Sequence, residues 1–84
     1  MTRLEVEFTT EPFEGERPDP PPHAVAARDA VERAGLACDF GPLGTSLNGS
    51  SQQVLDALNA AIHAALEQGA TRMTVRVDRV ADDE

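Results

Sequence analysis

The chain has no tryptophan, no tyrosine and no lysine, and only one cysteine and three phenylalanines. Without large aromatics, the core has to be built from aliphatic residues and alanine, which bury little apolar area apiece. Cys38 has no partner, so no disulfide can staple the fold, and no Cys/His cluster offers a structural metal. A lone cysteine fits a reducing compartment, and a cytoplasmic setting is expected. No apolar run approaches the roughly 20 residues that cross a bilayer, and Arg3 and Glu5 break any apolar start.

The charge is as lopsided as the composition. Fifteen acids face seven bases, all of them arginine, for a net charge of -8. Nucleic-acid binding needs a basic stripe that displaces counterions from phosphates, and none is present. The same field repels anionic membrane surfaces and tolerates small cations. Eighty-four residues make one domain, 1–84. A domain this small buries only about 60% of its unfolded surface. Self-association, as a homodimer or homotetramer, is therefore expected.

Residues 3–10 alternate strictly. Leu4, Val6 and Phe8 share one side, and Arg3, Glu5, Glu7 and Thr9 the other, which predicts a half-buried strand. Residues 11–22 hold five of the six prolines and four carboxylates against Arg17. They read as a stiff acidic loop with Phe13 as its one anchor. Residues 23–34 predict a helix entered through Pro21 and Pro22 and stopped at Gly35. Its stripe is Ala27, Ala30, Val31 and Ala34.

Residues 36–40 alternate again, with Leu36, Cys38 and Phe40 facing in. With the turn at 41–44 and residues 45–49 they predict a β-hairpin. Ser50 and Gln53 form a capping box. The helix behind it places Val54, Leu55, Leu58, Ala61, Ile62, Ala65 and Leu66 on one face and ends at Gly69. Residues 71–79 predict a last strand with Met73, Val75 and Val77 inward, and 80–84 a frayed acidic tail.

The order is β-α-β-β-α-β. Two helices with one apolar face each have to cover one side of a sheet, and right-handed crossovers leave few topologies. An α+β, ferredoxin-like sandwich with antiparallel strand order 4-1-3-2 is expected. Its open face carries Arg3, Glu5, Glu7, Thr9, Asp39, Ser46, Asn48, Arg72, Thr74, Arg76 and Asp78. That face serves as cross-strand ion pairing, as a polar subunit interface, or as a site for a small polar cation.

Catalytic signatures are missing. There is no phosphate-binding glycine loop, no dinucleotide fingerprint and no nucleophile elbow. His63 and Glu67 stand four apart on a helix, too few ligands for a metal. Cys38 has the inward parity of a small core residue rather than a nucleophile. The open face lacks the aromatics on which RNA bases stack. A non-enzymatic small-molecule-binding module is the expected class; a regulatory or structural oligomer without a ligand is the alternative.

The run Gly41-Pro42-Leu43-Gly44-Thr45-Ser46-Leu47-Asn48-Gly49 resembles the T-P-M-G-T-x-x-E-G hairpin of the small YkoF-like thiamine-binding proteins. His63-Ala64-Ala65 is similar to that family's H-E-A, and Gly69-Ala70-Thr71-Arg72-Met73 to its G-A-x-R-V. The opening Leu4 to Phe13 resembles short members of the family. Gly41 and Asn48 depart from it, standing where threonine and glutamate are usual, and the Asp-Arg-Arg end survives only as Asp78-Arg79. The resemblance implies a ferredoxin-like fold, no catalysis, oligomers built from sheet and edge contacts, and binding of thiamine or its hydroxymethylpyrimidine moiety; no cofactor is expected.

Such a ligand asks for acceptors for an amine, a partner for ring nitrogens, apolar contact on flat faces, and a field that favours a cation. Thr9 and Thr10 at the end of the first strand adjoin Thr45 and Ser46 at the hairpin. Glu7 lies on Thr9's side, Asn48 follows in the hairpin, and Phe13 is placed to cover a ring from the loop. These seven are the expected ligand-binding residues.

Overall fold

A computed structural model describes residues 2–12, 19–41 and 44–80. The elements run β1 (Arg3–Glu11), α1 (Pro22–Arg33), β2 (Asp39–Gly41), β3 (Gly44–Ser50), α2 (Ser51–Glu67) and β4 (Arg72–Val80). The sheet order is β2-β3-β1-β4, with every pair antiparallel. This is the expected ferredoxin-like order 4-1-3-2 counted from the other edge.

The alternation in β1 sets the two sides of the sheet. Leu4, Val6, Phe8 and Thr10 are buried beneath the helices. Val6 is flanked by Leu47 and Val77, and Phe8 by Thr45 and Val75. On these rows lie Ala27 and Val31 of α1 and Val54, Ala57, Leu58, Ala61 and Ala65 of α2. Alanine is what lets α1 and α2 lie close together over a narrow sheet.

Both helices end as their glycines predict. Gly35 and Gly69 have φ of 92° and 103°, a region closed to most side chains. Leu36 N–H donates to the Val31 carbonyl at 3.3 Å and Gly35 N–H to Glu32 at 3.0 Å. The bonds from Ala70 to Ala65 (3.0 Å) and Gly69 to Leu66 (3.4 Å) repeat the arrangement, so each helix closes in a Schellman motif. At the start of α2, Gln53 N–H donates to the Ser50 hydroxyl at 3.4 Å. The Gln53 side chain accepts from that same hydroxyl at 3.2 Å rather than reaching back to the backbone.

Several boundaries and faces differ from expectation. The strand expected over 36–40 is only Asp39–Gly41. Leaving the Schellman turn, the chain drops Leu36 onto the core beside Gly49, so Leu36 to Cys38 descend from the helix layer instead of pairing. Glu11 extends β1 and Pro22 opens α1, which trims the loop expected over 11–22. Val80 closes β4, and the rest of the expected tail lies outside the described residues.

Ala34 caps α1 in solvent and does not join its stripe. Leu55 and Leu66 are 49% and 52% exposed. The buried face of α2 centres on Val54, Leu58, Ala61 and Ala65, and these two leucines lie about 100° around the helix from it. Val77 is 45% exposed despite its inward parity, because β4 is an edge strand and its inner row is only partly covered.

Candidate functional site

The two sides of the sheet divide the expected binding residues. Glu7, Thr9, Ser46 and Asn48 lie on the open side, and Thr10 and Thr45 on the helix side. Phe13 lies outside the described residues. A sheet separates its faces by the thickness of a backbone, so one small ligand cannot touch both sets within one subunit.

On the helix side, Thr10 is 7% exposed and Thr45 3%. Beside Thr10 stands His23, in the first turn of α1 and 4% exposed. Its Nε2 lies 3.1 Å from the Pro12 carbonyl and its Nδ1 2.6 Å from the Thr10 hydroxyl. A carbonyl can only accept, so Nε2 carries the hydrogen; in the neutral ring Nδ1 then accepts from Thr10. The imidazole therefore ties the end of β1 to the start of α1, across the segment that joins them. Sequence reading placed His23 on a helix but assigned it no role. The available signal was its position two residues past the N-cap proline, on the same helical side as Ala27 and Ala30.

On the open side, a shallow groove of about 240 Å3 runs across β3, β1 and β4. Glu5 and Glu7 of β1 form its floor, Ser46 and Asn48 one wall, and Arg76 and Asp78 the other. The register explains the grouping: Glu7 lies between Ser46 and Arg76, and Glu5 between Asn48 and Asp78. Arg76 reaches Glu7 at 3.0 Å and Asp78 at 3.1 Å. One guanidinium thus stands against three carboxylates, and the groove keeps a negative field. Sequence reading put Glu5, Arg76 and Asp78 on this face but did not count them among the ligand contacts. Thr9 sits further along the open side, opposite Thr74 and against Gly44.

Elsewhere, Arg28 of α1 stacks its guanidinium over Phe40 at 4.8 Å, fastening the helix to β2. Cys38 is partly buried; burial first, and then the Glu32 carboxylate, push its thiol up from the ordinary value. A thiol held protonated is a poor nucleophile. Among the described residues, no three His, Cys, Asp or Glu side chains gather where a metal ion could be held. Nor is any described helix long and apolar enough to cross a membrane.

Solved structures share the fold. A hypothetical protein from Methanocaldococcus jannascii superposes with a TM-score of 0.69 at 18% identity, over 100% of this chain and 84% of its own. A domain of unknown function, DUF77, from Bacillus cereus gives 0.68 at 20% identity, over 95% of this chain and 76% of its own. A Thermotoga maritima protein provisionally assigned to thiamine biosynthesis or salvage gives 0.64 at 19% identity, over 95% and 84%. No curated protein matches the sequence. The sequence profile of one family, described as thiamine-binding protein, matches residues 6–84, nearly the whole chain. By that match this chain belongs to the thiamine-binding protein family.

Proposed function

We propose that this protein binds thiamine or its hydroxymethylpyrimidine moiety, without catalysing a reaction, in the groove on the open side of the sheet. The observation that carries this reading is the groove itself: three carboxylates, an amide and a hydroxyl converge on a space of about 240 Å3, the scale of a small heterocycle. The negative field favours the thiazolium cation. In this reading the Glu7 or Asn48 side-chain oxygen accepts from the aminopyrimidine amine, and the Asn48 amide or Ser46 hydroxyl donates to a ring nitrogen. A cytoplasmic carrier, buffer or sensor of the vitamin fits this chemistry and the lone cysteine. The acidic surface favours a small cation over nucleic acid or an anionic bilayer as partner.

Calorimetry with thiamine and with hydroxymethylpyrimidine tests the reading. Glu7→Gln removes a carboxylate and leaves Arg76 less neutralised, so thiamine should lose about 1 kcal/mol more affinity than the uncharged pyrimidine. Asn48→Ala should weaken both ligands by about 0.5–1.5 kcal/mol. A second reading rests on the buried polar corner of Thr10, His23 and Thr45, with Phe13 in the adjoining segment. It predicts the reverse: Thr45→Val weakens both ligands and Glu7→Gln weakens neither. If the parent protein gives no heat with either ligand, the regulatory or structural oligomer without a ligand stands instead.

A further inference from the structure

We propose that Arg76 is the groove's own cation, a specificity-determining residue whose guanidinium holds the place that a ligand's positive charge takes. A cationic ligand then binds by displacing it. The proposal rests on the reading of the groove as the binding site and says how that site selects by charge.

The register builds the arrangement. Across β1 and β4, Glu7 lies opposite Arg76 and Glu5 opposite Asp78. The first pair is complementary. The second sets two carboxylates against each other, which destabilises a sheet surface unless a cation lies beside them. Arg76 is that cation for Asp78 but not for Glu5. Its Nη2 donates to Glu7 at 3.0 Å, and its Nε donates to Asp78, two residues along the same strand, at 3.1 Å. A planar guanidinium can span two carboxylates in this way, and here its fork is spent on those two. Glu5 has no ion pair among the described residues. Its neighbour on β3 is the neutral Asn48, and Arg3, the next residue on the same side of β1, does not line the groove.

The hold on Arg76 is light. Its side chain is 69% exposed and those of Glu7 and Asp78 are 53% exposed. Ion pairs in that much water are screened, and they hold long side chains against their rotamer freedom, so they exchange readily. A ligand's cation meets Glu5 first, because that carboxylate is uncommitted. It then replaces the guanidinium at Glu7 and Asp78, and Arg76 swings into solvent. A neutral heterocycle neither needs nor causes that exchange. Arg76 therefore opposes cations in particular, while Glu5 draws them in.

Calorimetry with thiamine and with hydroxymethylpyrimidine separates these roles. Arg76→Gln keeps a polar side chain and removes the charge. Thiamine should bind this variant about two- to fivefold more tightly than the parent, and the pyrimidine should change by less than about twofold. Glu5→Gln should weaken thiamine by about two- to fivefold and leave the pyrimidine alike. Glu7→Gln should weaken thiamine more in the Arg76→Gln background than in the parent, because Glu7 is then released to take the cation. If Arg76→Gln fails to fold, nuclear magnetic resonance of the parent decides. The Arg76 Nε–H signal should shift as thiamine is added and stay in place with the pyrimidine. Thiamine binding that Asn48→Ala weakens but Arg76→Gln does not tighten overturns the proposal and keeps the groove as the site. So does an Nε–H signal indifferent to thiamine in a protein that Asn48→Ala impairs. No thiamine heat from the parent, or thiamine binding untouched by both Asn48→Ala and Glu7→Gln, overturns the groove reading and this proposal with it.

Discussion

His23 is a buried polar side chain committed to the fold at both ring nitrogens. Its ring satisfies a backbone carbonyl on one side and a buried hydroxyl on the other. Replacing it with leucine fills the space but leaves the Thr10 hydroxyl and the Pro12 carbonyl without that partner. The expected cost is about 1–3 kcal/mol in urea melts. Thr10→Val in the same background should then cost much less than it does alone, because the two share one hydrogen bond. Cys38 acts by pH. Burial and Glu32 raise its thiol above the ordinary value in the folded chain, so forming the thiolate favours the unfolded chain. Its contribution is fully present below the thiol's unfolded range and is lost as pH rises through the folded value. Cys38→Ser should therefore flatten the fall in stability that urea melts record as pH rises through and above the ordinary thiol range.

Among the elements, α2 carries the largest share of the core. Leu58 lies in the middle of its buried face, between Val54 and Ala61. Leu58→Ala should cost about 2–5 kcal/mol. Ser50→Ala removes the cap on Gln53 and should cost about 1 kcal/mol. Equal and small effects in urea melts would contradict the packing of this helix. The ends of both helices were legible because glycine, serine and proline act locally, through φ and through free backbone groups. The width of a buried face was not. Leu55 and Val54 differ by one residue, and only the position of the neighbouring sheet decides which of them is covered. The strand over 36–40 failed for a related reason: alternation marks which side chains face the core, but it does not show whether the backbone has a neighbour to pair with.

At the scale of the molecule, six alternating or helical segments in that order left one economical topology, so the sheet order could be read before any coordinate. The groove was half legible. Each open-side residue that lines the groove was assigned to its face by parity, but the expected site was drawn by closeness along the chain. Thr9 and Thr10 are neighbours in sequence and opposites in space, as are Thr45 and Ser46. One step along a strand changes sides, and side is what a ligand meets.

The place of β1 in the middle of the sheet has a consequence for how the chain comes into being. One of its flanks is closed by β3 and the other only by β4, the last of the described strands in chain order. The bond from Thr71 N–H to the Glu11 carbonyl spans 60 positions. A chain growing from its amino terminus therefore carries β1 with one flank open until β4 has been synthesised. Contacts so distant in sequence make assembly slow and cooperative. A nascent chain halted before Arg72 has nothing to lay against that flank, and what it then exposes is the Glu5, Val6, Glu7 and Phe8 backbone at the heart of the finished protein.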